Sequence, residues 1–272
     1  MARHRLSGVT AGWLLMGLAP LCAGTGREAA ELNRHAAQLF AAKQFHEAIT
    51  ELRRSLTIDA RQAGPTKLLG LCYQLTSQPE EAERAFRAAT QLDPHDAEAW
   101  FFLGRICYLR NFFDKAVPAL ETARRLNPGS PRISEQLGLT FEATGQTGQA
   151  VKAYEEAVRL NLEQARPAAG PHLNYGALLY KLNQLGKSEA QLKRARELDP
   201  QDWRAYFELG KLYFRKQDLE HAARELEQAR KLGAADSDAT RRICHLLAQV
   251  YFRLGRETEA RQALAAMERS AP

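Results

Sequence analysis

An all-α solenoid of tandem antiparallel helix pairs is the fold this sequence predicts, and three observations predict it. The first is a 34-residue pattern that returns seven times between residue 29 and the C-terminus. The second is helical spacing inside each copy. In residues 97–130, Trp100, Leu103, Gly104 and Cys107 share one face, and after a break at Arg110 and Asn111 a second face carries Phe113, Ala116, Val117, Leu120, Ala123 and Leu126. The third is composition: 45% hydrophobic, 26% charged and only 8% aromatic residues, with no period-two run of β-branched residues after residue 60. Two short helices sharing one apolar seam cannot bury both faces alone, so such units stack.

The N-terminus reads as a separate object. MARHR is basic, residues 6–21 are apolar, and Leu21-Cys22-Ala23 gives way to Gly24-Thr25-Gly26. That order is expected of a secretory signal peptide over residues 1–23, cleaved after Ala23, with 24–28 as a short linker. The alternative is an uncleaved helix that anchors the chain at a membrane. The location expected is therefore periplasmic or secreted, with no membrane span after signal removal. Cys72, Cys107 and Cys244 follow, all on apolar faces and with no CxxC pair. They read as buried free thiols, with a Cys72–Cys107 bridge as the alternative.

The array runs as 29–62, 63–96, 97–130, 131–164, 169–202, 203–236 and 241–272, with four-residue insertions at 165–168 and 237–240. Each copy keeps small residues where two helices approach. In the first helix these are Ala36, Gly70, Gly104, Gly138, Gly176, Gly210 and Ala248. In the second they are Ala48, Ala82, Ala116, Ala150, Ser188, Ala222 and Ala260. Large residues fill the complementary place: Leu52, Phe86, Leu120, Tyr154, Leu192, Leu226 and Leu264. Asp-Pro or Asn-Pro ends three copies, because the residue before Pro disfavours helix. Pro118 is expected near the first turn of its helix, where a missing N–H costs little. In the last copy Arg261, Glu268 and Ser270 replace residues that an interior copy would bury, so the final helix caps the array with a polar face.

This pattern resembles the tetratricopeptide repeat (TPR) family from residue 29 onward, which implies a right-handed superhelix. The departures are His35 where Leu usually sits, Leu162 in place of a closing Pro, and Ser188 for Ala. The resemblance also implies a concave groove lined by the first helix of each repeat, and hence a protein or peptide partner. The lining positions that carry over are Phe101, Arg105 and Tyr108, with Glu98 and Leu109, in the third copy. Tyr180 and Lys181, with Leu173, follow in the fifth, and Arg204, Phe207, Lys211, Phe214 and Arg215 in the sixth. The last copy adds Arg242, His245, Phe252 and Arg253, with Gln249. Basic heads among aromatic rings suit an extended segment bearing carboxylates and apolar side chains. Trp100 and Cys107 are expected in core places. The Lys–Asn–Asn–Lys–Arg clamp by which some TPR domains hold a chaperone tail is absent: Asn33 is followed by Ala37, Lys67 by Leu71, and Arg105 lacks asparagine partners.

No catalytic chemistry stands out. His46-Glu47 begins an HExxH zinc motif, but Thr50 takes the second ligand's place. The histidines lack ligand spacing, and no GxSxG, GxxxxGK or GxGxxG is present. No metal, cofactor or enzymatic activity is expected. The net charge of +6 comes from interspersed acids and bases, so no nucleic acid is expected either. The expected function is an exported protein–protein interaction scaffold or adaptor. The alternatives are a membrane-tethered scaffold or accessory subunit of an envelope assembly or secretion complex, with an enzyme the least favoured.

Overall fold

The computed structural model describes residues 19–269, with side chains from residue 26. The signal-peptide reading lies largely outside the described residues. Among them, fourteen α-helices and no strands are found. They are α1 (Ala19–Ala41), α2 (Phe45–Ile58), α3 (Ala63–Leu75), α4 (Pro79–Leu92), α5 (Ala97–Leu109), α6 (Phe113–Leu126) and α7 (Pro131–Ala143). There follow α8 (Thr147–Leu162), α9 (Gly170–Lys181), α10 (Leu185–Leu198), α11 (Trp203–Arg215), α12 (Leu219–Leu232), α13 (Ser237–Arg253) and α14 (Glu257–Arg269). The chain divides into two compact units, Met1–Arg110 with α1–α5 and Asn111–Pro272 with α6–α14.

The small residues act as sockets. A Cβ built on Gly70 would lie 2.7 Å from the Phe86 ring, and one on Gly210 2.6 Å from the Leu226 side chain. Gly138 against Tyr154 and Gly176 against Leu192 repeat the arrangement. Each large side chain is fully buried, so the pair of helices closes to near-contact at that point. Ser188 fits where Ala is usual because its hydroxyl donates to the Gly176 carbonyl at 2.7 Å. His35 is tolerated because it is exposed, 3.9 Å from the Glu51 carboxylate.

The turn inside each copy has one left-handed residue at the same place: Lys43, Ser77, Asn111, Gly145, Asn183, Gln217 and Gly255, with φ between 57° and 72°. After α11 the Gln217 N–H donates to the Phe214 carbonyl and the Asp218 N–H to Tyr213, closing the helix with a Schellman motif. Between copies, Asp96, Asp202 and Asp236 cap α5, α11 and α13 with their carboxylates.

Several expectations are corrected. Pro118 is the sixth residue of α6, inside the helix and beyond its first turn. Its ring leaves the Asp114 carbonyl without the usual amide donor. Trp100 is half-buried, with its indole N–H donating to the Pro94 carbonyl at 2.9 Å. Residues 237–240, expected as an insertion, form the first turn of α13, because Asp236 moves the cap four residues upstream. Residues 24–28, expected as a linker, lie within α1. At 165–168 the insertion is a loop, and the Asn161 side chain pins it by bonding both the N–H and the carbonyl of Ala168 at 2.9 and 2.8 Å. Cys72, Cys107 and Cys244 are buried free thiols.

Candidate functional site

Within the second unit α7 touches α9, α9 touches α11, and α11 touches α13, whereas α8, α10, α12 and α14 have no comparable mutual contacts. The first helix of each copy therefore belongs to the inner layer, which is where the predicted groove residues of this unit sit. Phe101, Arg105 and Tyr108 belong to the first unit and are described separately: Phe101, expected on the groove surface, is packed instead, 6% exposed against Phe102, while Arg105 and Tyr108 are half-buried on α5.

On the inner layer three arginines lie against aromatic rings donated by the preceding copy. Arg215 of α11 sits 5.1 Å from the Tyr180 ring of α9 and donates to the Tyr180 carbonyl at 3.0 Å. Arg253 of α13 sits 4.3 Å from the Phe214 ring of α11 and reaches the Gln217 amide oxygen at 3.3 Å. Arg242 lies 5.1 Å from the Phe207 ring, and Lys211 lies between Tyr180 and Phe207 at 5.1 and 5.6 Å. A cation over a ring face keeps its full charge, since the ring supplies only a quadrupole.

The acids decide which of these charges remain. Lys181 is taken by Glu142 at 2.6 Å, Arg204 by Asp202 at 2.7 Å, and Lys211 by Glu208 at 2.7 Å. Among the described residues, Arg215, Arg242 and Arg253 have no carboxylate within 4.0 Å. Phe207 is corrected from a groove surface to a packed one: it is 6% exposed, roofed by Arg242 and Lys211. Phe252, in contrast, is 50% exposed. His245 bonds Gln249 at 2.8 Å and, with Arg242, lines an open cleft that also includes Asp238, Arg241 and Met267. Tyr180, Phe207, Lys211, Phe214, Arg215, Arg242 and Arg253 are thus brought together, while Lys181 and Arg204 are held aside.

Sequence reasoning missed the polar pair at the other end of this layer. Glu135 of α7 accepts from the Asn174 side chain of α9 at 2.7 Å, and its carboxyl fits against Gly170, where a Cβ would lie 2.6 Å away. Burial pushes the Glu135 carboxyl above its ordinary range, opposed by the Asn174 hydrogen bond and by the charges of Arg132 and Arg204. The missing signal was a Gly at the start of α9, facing an acid one copy earlier.

Two family models match the chain: the C-terminal domain of cilia and flagella-associated protein 70 over residues 27–243, and a tetratricopeptide repeat over 242–266. The type IV pilus assembly protein PilF of Pseudomonas aeruginosa is 29% identical over 137 residues, which are 50% of this chain and 53% of that protein. The chain thus spans about half the length of that relative. Among solved structures, PilW, a type IV pilus biogenesis factor, superposes with a TM-score of 0.67 at 21% identity, covering 76% of this chain and 92% of that one. The Pseudomonas aeruginosa PilF structure gives 0.66 at 23% identity, covering 77% and 93%. At these identities the structural likeness concerns the fold. No helix among the described residues is long and apolar enough to cross a membrane.

Proposed function

Since the chain belongs to the tetratricopeptide-repeat family represented by the C-terminal domain of cilia and flagella-associated protein 70, we propose that it is an exported interaction scaffold whose second unit captures acidic, partly apolar peptide segments. The observation that carries this reading is the trio Arg215, Arg242 and Arg253, laid on aromatic rings and left without an acid of their own. A guanidinium stacked by one face still presents the N–H edges that pair with a carboxylate. Phe252, the chain neighbour of Arg253 and 50% exposed, supplies apolar surface at the same end of α13.

The envelope setting rests on the basic, apolar and small-residue order at the N-terminus and on the likeness to pilus assembly proteins. That likeness also favours a second reading, in which the chain is an accessory subunit of an envelope assembly complex, tethered by its N-terminal stretch.

The test is a fluorescence-anisotropy titration of the full chain with a fluorescent Glu/Leu peptide and its Lys/Leu counterpart. The acidic peptide binds and weakens steeply with salt. Arg215→Glu with Arg253→Glu abolishes binding while the helical circular dichroism is unchanged. Equal binding of both peptides sinks the reading. Export is tested separately by N-terminal sequencing of the mature chain: a start at Gly24 supports cleavage, and an intact Met1 supports the tether.

A further inference from the structure

Tyr180, Phe214 and Phe252 stand at one repeat position, each next to last in its helix, α9, α11 and α13. Two of the three rings are closed over by an arginine of the following copy. Arg215 lies 5.1 Å from the Tyr180 ring, and Arg253 lies 4.3 Å from the Phe214 ring. The third ring is half-exposed, and among the described residues no cation of the chain lies over it.

The carbonyls of these residues repeat the comparison. Each accepts the turn N–H three residues on, from Asn183, Gln217 and Gly255, at 3.1 Å in every case. A carbonyl oxygen has two lone pairs, and at Tyr180 the Arg215 guanidinium also donates, at 3.0 Å. No side chain among the described residues donates to the Phe252 carbonyl. A Cβ built on Gly255 would meet nothing within 4 Å, so the turn that follows Phe252 is open to an incoming group. The carbonyl end of a helix also favours a positive charge.

We propose that the Phe252 ring and carbonyl receive an arginine of the ligand, an inference that rests on the acidic-peptide function above. The ligand is then a segment in which an arginine accompanies the acids: the acids pair with Arg215 and Arg253, and the arginine lies on Phe252. Tyr180 with Arg215 is the filled form of the same place, built by the chain itself. Arginine fits because its planar guanidinium stacks by one face while its edge donates to the carbonyl. An apolar side chain would cover the ring and leave the carbonyl unanswered. Like charges in the row are no obstacle, since Arg215 and Arg253 already occupy its two preceding places.

The probes are the fluorescent Glu/Leu peptide extended by one arginine, at either end, and counterparts with citrulline, whose planar group is neutral. Anisotropy titration of the full chain is expected to show one arginine peptide binding about fivefold tighter than its citrulline counterpart. The sign is diagnostic, because a basic groove alone would repel the added charge and favour citrulline. Phe252→Leu removes the preference and Phe252→Trp retains it, both with unchanged circular dichroism. Arginine peptides that bind no tighter than their citrulline counterparts, all weakened by Arg215→Glu with Arg253→Glu, overturn the arginine site and leave the acidic groove standing. A preference that survives Phe252→Leu does the same. Absence of binding by every acidic peptide overturns both.

Discussion

Gly138 and Tyr154 meet so closely that a Cβ on the glycine would lie 2.6 Å from two ring carbons of the tyrosine. The tyrosine hydroxyl donates to Glu142 at 3.1 Å, so the ring is held by that bond as well as by packing. Gly138→Ala therefore forces either the helix pair or the ring to move, and the expected loss is about 1–3 kcal/mol in thermal or urea unfolding. Gly186, where a Cβ would meet nothing within 4 Å, is the control. There Gly186→Ala is expected to be neutral or to stabilise by a few tenths of a kcal/mol.

The left-handed turn residues give a second pair of substitutions. Gln217 holds φ at 63° at the place where Gly145 and Gly255 stand in their own copies. A left-handed conformation costs a residue with a Cβ about 1–2 kcal/mol, partly offset by the larger chain entropy of glycine. Gln217→Gly is expected to raise the melting temperature by a few degrees. Gly255→Ala, in open space with φ at 70°, is expected to lower it through backbone strain alone.

Acid sensitivity comes partly from Glu189. Hydrogen bonds from Lys193 and Lys216, and then from the Tyr213 hydroxyl, hold its carboxyl at about 2, against an ordinary value of 4.5. A depressed folded-state value means stability that is present above pH 4.5 and is lost as pH falls from there toward 2. Solvent screening of the two exposed lysines limits the effect to about 1 kcal/mol. Glu189→Gln is expected to flatten the acid limb of a melting-temperature profile in that window and to lower stability at pH 7.

His172 acts at higher pH. It is buried on α9 with its Nδ1 2.7 Å from the Gln191 amide oxygen, and burial pushes its pKa below 6.5, aided by the charge of Arg194. The folded protein protonates the ring less readily than the unfolded chain, which takes up a proton below pH 6.5. Stability therefore falls as pH drops through that value. His172→Gln is expected to remove this part of the slope, read as the change in melting temperature between pH 7.5 and 5.5 relative to wild type.

The order of residues alone carries the repeat, its 34-residue period, the sockets such as Gly70 and Gly210, and the knobs Phe86 and Leu226 that fill them. These are legible because a one-dimensional array repeats the same local contact, so each copy confirms the others. The basic, aromatic character of α9, α11 and α13 was legible for the same reason. Which charges stay unpaired depends on how the copies stack. Lys181 and Arg215 look alike in sequence, yet one meets Glu142 and the other the Tyr180 ring, across 39 and 35 residues. The burial of Phe207 beneath Arg242, and the contact of Glu135 with Asn174 and Gly170, have the same origin. A side chain's charge is written in the sequence, but its effective charge depends on the neighbour that the next copy brings within 4 Å, and stacking supplies that neighbour.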